Sequence, residues 1–278
     1  MTALHATSGL LALDHVTVLL GKRQFGPFTL SIRPGEQVAI LGPSGAGKST
    51  LLKLLARELA PAAGQAHFDQ RLLADWSLAE LSRRRAILPQ SHEVAFGLPV
   101  DLVIGLGRVA RTHDPYLNSI VQQAAAHACA AHLLERRFDT LSGGEKARVQ
   151  MARVFAQLWD VEQGLLLVDE PLAALDPGLQ FELMDAIYTF ASKRGHATLA
   201  ILHDINQALQ GFERLILIKH GTLVGDYQPS HLTIPLLEAL YDISLVSAIS
   251  ENGEVIVAPS KIQKDTQIKA SRLWFKSN

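Results

Sequence analysis

The sequence predicts an α/β fold in which a parallel core sheet carries a phosphate-binding loop. Short apolar runs alternate with longer segments of helical periodicity, a pattern typical of folds in which helices connect parallel strands. Residues 42–50 read GPSGAGKST and fit the pattern G-x-x-x-x-G-K-[ST]. An apolar run precedes this loop at 37–41, and leucines at helical spacing follow it over 51–59. The loop therefore joins a buried strand to the beginning of a helix.

Composition limits the classes of protein that remain. Hydrophobic residues make up 48% of the 278 residues, yet no stretch approaches the roughly 18 apolar residues that a membrane helix requires. No Lys or Arg precedes the first apolar residues, so no secretory signal is predicted. The single Cys129 excludes an internal disulfide, and 26 basic against 27 acidic residues give no general attraction to nucleic acid. We expect a cytoplasmic α/β protein without nucleic acid as a partner.

The elements around the loop are predicted from hydrophobic period and from turn residues. Pro, Gly and charged residues separate the apolar runs, and leucine spacing marks the helices. In chain order we predict strands at 10–20, 28–32 and 37–41, a helix at 49–59, a strand at 65–68, a helix at 77–85 and a strand at 86–90.

An Ala-rich helical segment follows over 100–137. Residues 112–115 break it, and its longest predicted helix spans 116–135. We interpret about 91–160 as a helical subdomain inserted in the nucleotide core of a domain that spans 1–260.

Three potential metal ligands lie in this segment, namely His127, Cys129 and His132. On a helix a two-residue offset turns side chains about 200° apart, so His127 and Cys129 cannot face one ion. We therefore expect a small buried cysteine and ordinary helix histidines there, not a metal site.

The rest of the chain alternates helices with apolar strands. The run at 164–168 is continuously apolar, as in a buried parallel strand, and two acids follow it. Residues 261–278 are polar and basic, so we expect a loose tail. In chain order we predict a helix within 140–158, a strand at 164–168, a helix at 178–193 and strands at 198–202, 215–219 and 222–225. From 228 onward we predict a short helix at 235–240 and weak strands.

The loop predicts a nucleotide site. Its backbone N–H groups and the positive end of the helix dipole converge on a phosphate, and its glycines let the backbone approach closely. Lys48 would reach the β- and γ-phosphates, and the hydroxyl of Ser49 would bind Mg²⁺. The predicted binding residues of the loop are Gly42, Pro43, Ser44, Gly45, Ala46, Gly47, Lys48, Ser49 and Thr50.

Two adjacent acids are expected to bind the metal ion and to activate water. Asp169 and Glu170 follow an apolar strand directly. Asp169 is placed to hold Mg²⁺, directly or through water, and Glu170 would orient or deprotonate the attacking water.

The motifs along the chain resemble those of the ATPases of ABC transporters. After the loop come a glutamine behind a short strand, LSGGE at 141–145, LLLVDEP at 165–171, Ala-Leu-Asp at 174–176 and a later histidine. The resemblance covers nearly the whole chain to about residue 225, and the protein is identified as a member of this family. It implies a P-loop NTPase of ABC type, with a RecA-like core sheet, an antiparallel β subdomain and an inserted α-helical subdomain.

The resemblance also implies roles in hydrolysis. Gln90 is similar to the Q-loop glutamine, which contacts Mg²⁺ or the lytic water and faces the transmembrane subunit. His203 is similar to the switch histidine, which contacts the γ-phosphate. With Glu170, these residues are expected to be catalytic, and the expected cofactors are ATP and Mg²⁺.

A further group of motif residues implies a dimer. Ser142, Gly143 and Gly144 are similar to the signature residues that hold the γ-phosphate of ATP bound to the other subunit, and Asp176 is similar to the aspartate at the dimer seam. Because the signature begins a helix, it is a second anion-binding helix end. Two copies arranged head to tail with C₂ symmetry would close over two ATP molecules.

One position departs from the family. These ATPases usually carry an aromatic residue roughly twenty positions before the loop, and its ring stacks on adenine. The corresponding residues 16–20 hold no ring and end in Leu19 and Leu20, and Phe25 is the nearest aromatic. We expect the loop to bear more of the nucleotide binding than usual.

The organisation of the chain and three further sequence stretches indicate which members of this family it resembles most. No membrane span and no second ATPase copy is fused, and only about ninety residues separate the loop from the signature. The stretches 83–108, 141–171 and 199–209 resemble ATPases of importers for iron chelates, haem and cobalamin, and most of all those of haem importers. The resemblance implies an ATP-hydrolysing subunit that energises a membrane importer for haem, with ferric siderophore or cobalamin as alternatives.

The implied partners are ATP, a second copy in a head-to-tail homodimer, polytopic permease subunits and, indirectly, a periplasmic or surface substrate-binding protein. The apolar region 94–106 is expected to form a groove for the permease at the cytoplasmic face of the inner membrane. The alternative class is a soluble ABC ATPase of iron–sulfur cluster assembly, which needs no membrane partner.

Overall fold

The computed structural model describes residues 9–89, 97–169 and 175–260 of the chain. The strands are β1 (Leu11–Leu20), β2 (Arg23–Ile32), β3 (Gln37–Leu41), β4 (Ala63–Phe68), β5 (Arg71–Leu72), β6 (Arg85–Leu88), β7 (Leu165–Asp169), β8 (Ala197–Ile201), β9 (Arg214–Lys219), β10 (Thr222–Tyr227), β11 (Leu245–Ile249) and β12 (Val255–Pro259). The α-helices are α1 (Lys48–Leu55), α2 (Leu78–Ser82), α3 (Val100–Gly105), α4 (Leu117–His127), α5 (Gly143–Leu158), α6 (Pro177–Arg194), α7 (Ile205–Gly211) and α8 (Ile234–Tyr241). None of these helices is long and apolar enough to cross a membrane.

A six-stranded sheet forms the centre of the molecule, in the order β10-β9-β3-β8-β7-β6. Five of its strands run parallel, and β10 pairs antiparallel with β9 at the edge. β3 and β8 are buried along their whole length, which explains why neither alternates between apolar and polar residues. Because parallel strands end at the same edge of a sheet, the C-terminal ends of β3, β7 and β8 lie near one another.

A second sheet is antiparallel, in the order β2-β1-β4-β5. It is joined to the edge of the central sheet by the N–H of Gly26 in β2, which donates to the carbonyl of Gly221 at 2.7 Å. Gly221 lies in the turn between β9 and β10. The antiparallel β subdomain implied by the family resemblance is therefore confirmed.

Alternate residues of the central strands contribute to two separate cores. In β3, Ala39 and Leu41 pack with the helices α3 to α6, whereas Val38 and Ile40 pack with α1 and the antiparallel sheet. Successive side chains of a strand point to opposite faces, so both faces of the sheet are covered. Packing on both faces of the sheet holds in place the edge at which β3, β7 and β8 end.

The described residues between β6 and β7 form α3, α4, α5 and short 3₁₀ turns. Since β6 and β7 are adjacent and parallel, this helical segment is inserted between neighbouring strands. The inserted helical subdomain implied by the resemblance is thus confirmed, whereas the bounds 91–160 and 1–260 stay predictions. The tail at 261–278 lies outside the described residues.

The helix predicted over 116–135 is wrong in length, because α4 ends at His127. Cys129 has a left-handed backbone with φ of 51°, and the N–H of Ala130 donates to a carbonyl five residues back at 2.7 Å. This turn ends the helix in spite of its alanines, since it brings Ala130 and Leu133 into the core. Cys129 itself is exposed, so the prediction of a buried cysteine is also wrong.

The helix after the loop is shorter than predicted as well. It ends at Leu55, because Arg57 takes a left-handed φ of 60° and the N–H of Glu58 donates to the carbonyl of Lys53 at 2.8 Å. That bond is typical of a helix end in which glycine usually occupies the left-handed position. Two elements, β5 and α7, have no counterpart among the predicted ones, and the longest described helix is α6.

Candidate nucleotide site

The loop between β3 and α1 packs closely against Phe25 and Ile218. Gly47 caps α1 with φ of 105°, in the left-handed region that favours glycine. A Cβ at Gly47 would lie 2.7 Å from Cδ1 of Phe25, and one at Gly42 would lie 2.1 Å from the carbonyl oxygen of Ile218. Only glycine fits at these two positions. The first N–H groups of α1 have no acceptor within the helix, so they can bind an anion.

Lys48 is almost fully buried at the beginning of α1. Its Nζ donates to the carbonyl of Gly42 at 2.8 Å and to that of Pro43 at 3.2 Å. A buried ammonium group is stable only with such partners. The contacts hold a positive charge at the loop that the sequence predicts to bind phosphate.

Ser49 and Asp169 meet although 120 residues separate them in sequence. The Oγ of Ser49, in the first turn of α1, donates to Oδ1 of Asp169, the last residue of β7, at 3.2 Å. A hydroxyl and a carboxylate oxygen are ligands of the kind that Mg²⁺ takes in proteins. The pair therefore fits the ion. In the described ranges no group of three or more His, Cys, Asp or Glu side chains could hold a metal by itself.

A cavity of about 380 Å³ lies over the loop. His203, which follows β8, is in its wall, so the residue predicted to contact the γ-phosphate shares one space with the loop. Arg23 and Phe25 of β2 also face this space. The lining residues are Arg23, Phe25, Ser44, Gly45, Ala46, Gly47, Lys48, Ser49, Thr50 and His203.

Arg23 is the lining residue that the sequence analysis did not single out. It follows the Gly21-Lys22 turn, where a charged residue is ordinary. The one available signal is its spacing from Phe25, because residues two apart in a strand share a face. An aromatic and a cation on one face of a strand can support each other.

The LSGGE motif forms the N-terminal end of α5. The Oγ of Ser142 accepts from the N–H of Glu145 at 3.3 Å, and the carboxylate of Glu145 accepts from the N–H of Ser142 at 2.8 Å. The bond from the Ser142 backbone, above all, lowers the pKa of Glu145. A Cβ at Gly143 would meet no atom within 4 Å, so this helix end is open to an incoming group.

Asp176 caps the neighbouring helix α6, where its Oδ1 accepts from the N–H of Leu179 at 3.0 Å. Leu179 also packs on the signature, since a Cβ at Gly144 would lie 2.6 Å from its Cδ2. The signature and the Asp176 cap are therefore neighbours. None of Ser142, Gly143, Gly144 and Asp176, all of which are described, lines the loop cavity.

Two predicted catalytic residues, Gln90 and Glu170, lie outside the described residues. The strands before them are placed, however. In sequence, Gln90 comes two residues after the end of β6 and Glu170 directly after the end of β7, and these two strands are adjacent and parallel. Their roles stay predictions.

A family model and several known proteins match this chain. The family model described as "ABC transporter" matches residues 25–173. The chain is similar to the hemin import ATP-binding protein HmuV of Methylobacillus flagellatus, with 43% identity over 221 residues that cover 77% of this chain and 82% of the relative. The protein of the same name from Pseudomonas aeruginosa is 46% identical over 203 residues, which cover 72% of this chain and 79% of the relative.

Solved structures share the fold. cbiO1 from Clostridium perfringens, part of the ABC transporter complex cbiONQ, aligns with a TM-score of 0.71 and 25% identity over 80% of this chain and 90% of its own. The ATP-binding cassette MJ0796 bound to ADP and Pi aligns with a TM-score of 0.70 and 24% identity over 79% of this chain and 98% of its own.

Proposed function

The chain belongs to the ABC transporter family, and from that membership we propose that it is the ATP-hydrolysing subunit that energises a membrane importer for haem. The observation that supports ATP hydrolysis is the loop cavity, which His203 and Ser49 line together, with Asp169 bonded to Ser49. The observation that supports haem is the name of two relatives, of which the chain covers 82% and 79%.

The residues of the proposed site have separate roles in hydrolysis. Lys48 and the loop N–H groups bind the β- and γ-phosphates. Ser49 and Asp169 would hold Mg²⁺, which when bound would offset negative charge on the phosphoryl oxygens. Glu170 orients or deprotonates the attacking water, and His203 contacts the γ-phosphate from the end of β8. In-line attack needs these groups around one phosphate, and the edge of the parallel sheet brings their strands together.

One copy of the chain provides only half of a complete site. The N-terminal end of α1 lies at the loop cavity, whereas the N-terminal end of α5, with Ser142 and the open Gly143, does not line it. In a head-to-tail homodimer the signature of one copy covers the loop of the other, and C₂ symmetry forms two such sites. ATP then joins the two copies, and hydrolysis of the γ-phosphate releases them. Asp176, which packs beside the signature through Leu179, lies at the seam.

The membrane partner docks near α3. Leu102 and Leu106 are 50% and 40% exposed, and Val109 is 79% exposed, so this surface carries apolar area that a partner would cover. Gln90 precedes the same region in sequence and would couple docking of the permease to the nucleotide site. The structural neighbour cbiO1 is itself part of a transporter complex. Polytopic permease subunits at the cytoplasmic face of the inner membrane, served by a substrate-binding protein, complete the proposed importer.

Reconstitution tests this function directly. The chain and its permease are placed in lipid vesicles, and ATP hydrolysis is measured with a binding protein loaded with haem, ferric siderophore or cobalamin. Haem-loaded protein should stimulate hydrolysis several-fold over the other two, and Glu170→Gln should remove both basal and stimulated turnover.

Equal or greater stimulation by siderophore or cobalamin would contradict haem as the substrate. Purification of the chain with soluble partners and without any polytopic membrane protein would instead favour an ATPase of iron–sulfur cluster assembly.

A further inference from the structure

We propose that the guanidinium of Arg23, held over the ring of Phe25, is the surface on which the base of the bound nucleotide stacks. This inference rests on the proposed nucleotide site and adds the residue that recognises the base. A base presents a large flat face, and it binds best against another plane, either an aromatic ring or a guanidinium.

Phe25 supplies a rigid support. Its side chain is only 6% exposed and is wedged between the loop and the turn after β9. A Cβ at Gly47 would lie 2.7 Å from its Cδ1, and one at Gly221 would lie 3.3 Å from the same atom. The N–H of Gly221 also donates to the carbonyl of Ala46 at 2.8 Å, so both walls that hold the ring are bonded to each other. Buried in this way, Phe25 does not itself offer a free face for a base.

Arg23 covers that ring and faces the cavity. Its Cζ lies 4.7 Å from the ring centroid of Phe25, and Nη2 donates to the carbonyl of Gly45 at 3.2 Å. The cation–π contact and the hydrogen bond together restrain the plane of the guanidinium. The side chain is nevertheless exposed and lines the cavity beside the loop. Arg23 therefore contacts the ring of Phe25 and remains accessible from the cavity.

The end of β1 that pairs with Arg23 has no aromatic ring on which a base could stack. Leu20, which pairs with Arg23 across the β1–β2 hairpin, is 40% exposed, and Leu19 is 57% exposed. Aliphatic side chains can pack on a base but have no planar π surface on which it could stack. Among the described residues that line the cavity, Phe25 is the only aromatic one apart from the imidazole of His203. A guanidinium is planar, delocalised and weakly hydrated, so it can replace a ring at this place.

The test separates stacking from attraction of charge. Calorimetric titration of the full chain with ADP and with pyrophosphate, both in Mg²⁺, compares a ligand that has a base with one that lacks it. Arg23→Lys keeps the charge without the plane, and Arg23→Leu covers Phe25 with neither. Both variants should weaken ADP binding by at least about fivefold and pyrophosphate binding by less than about twofold.

Two further variants complete the design. Lys22→Leu removes a cation from the adjacent exposed position and should leave both affinities unchanged. Leu20→Tyr, added to Arg23→Leu, places a ring next to the vacated position and should restore most of the ADP affinity. Pyrophosphate binding by each variant shows that the loop is intact.

Wild-type ADP affinity in Arg23→Lys would overturn the inference, because charge alone would then suffice. An equal loss for ADP and pyrophosphate would also overturn it, since Arg23 would then be a phosphate contact. Failure of the wild-type chain to bind either ligand would overturn the proposed nucleotide site itself and is distinguishable from both.

Discussion

His196 is a titratable residue that the fold buries completely, immediately before β8. Its Nδ1 accepts a hydrogen bond from the N–H of Gly164 at 2.9 Å, and its ring lies 5.3 Å from that of Phe190. Because Nδ1 accepts, the neutral ring carries its proton on Nε2. Burial disfavours the charged ring and lowers the pKa of His196 from 6.5 to about 4.

This shift predicts a loss of stability in acid. Since the pKa is about 4 in the folded chain and 6.5 in the unfolded chain, the unfolded state takes up the proton first as pH falls. The stabilising contribution is complete above about pH 6.5 and is lost as pH falls toward 4. Between pH 7.5 and 5 the free energy of unfolding should fall by about 2 kcal/mol more in wild type than in His196→Asn, whose amide accepts the Gly164 bond without titrating. Urea unfolding at both pH values measures the difference, and parallel pH dependences would contradict it.

The surroundings of some single residues could be predicted from the sequence, and those of others could not. The proximity of Ser49 and Asp169 follows from the loop motif and from parallel strands, which end at one edge. Cys129 could not be placed, because its exposure depends on a left-handed turn in a segment with no glycine. Arg23 could not be singled out either, because its surroundings include a turn more than 190 residues away, at Gly221.

At the scale of elements, a buried arginine joins α3 to α5. Arg108 ends the 3₁₀ turn after α3, and its side chain is 2% exposed. It donates to both carboxylate oxygens of Asp160, at 2.9 and 3.2 Å, and also binds Asp114. A Cβ at Gly107 would lie 2.2 Å from the carbonyl oxygen of Arg153 in α5, so the backbones also touch. The proposed permease surface and the signature helix are thereby held as one unit.

Removal of this contact should destabilise the chain. Arg108→Ala leaves Asp114, which is 9% exposed, without its charge partner, and the free energy of unfolding should fall by about 3 kcal/mol. Arg111→Ala is the matched control, because Arg111 is 25% exposed and its ion-pair partner Asp160 is 42% exposed. It should cost less than about 1 kcal/mol. Denaturant unfolding measures both, and equal effects would show that burial of the Arg108 pair adds nothing.

Elements with strong periodicity were predicted well, and their ends were not. β3 has the predicted bounds, and α6 differs from the predicted helix by one residue at each end. α1 and α4 end early because Arg57 and Cys129 take left-handed conformations that their residue types do not favour. Tertiary packing, which places Ala130 at 0% exposure, decides such ends, and local sequence carries no signal of it.

At the scale of the whole molecule, the order of motifs was sufficient to predict the fold. The loop, signature and strand-end acids occur at spacings that fit one layered architecture, and the two sheets and inserted helices agree with it. The proposed arrangement of the site across two copies is supported by the positions of two helix ends. α1 and α5 both present an N-terminal end suited to an anion, yet only that of α1 lies at the loop cavity.

ATP is proposed to join two copies of the chain through the loop of one copy and the signature of the other. The most direct measurement is the mass of Glu170→Gln by light scattering, with Mg²⁺ and either ATP or ADP. With ATP the mass should be about twice the 30.3 kDa of one chain, and with ADP it should equal one chain. In the Glu170→Gln background, Lys48→Ala should prevent dimers by removing a phosphate contact, and Ser142→Arg by blocking the signature while ATP still binds. A Glu170→Gln chain that binds ATP and stays monomeric, or a dimer that survives Ser142→Arg, would contradict the claim.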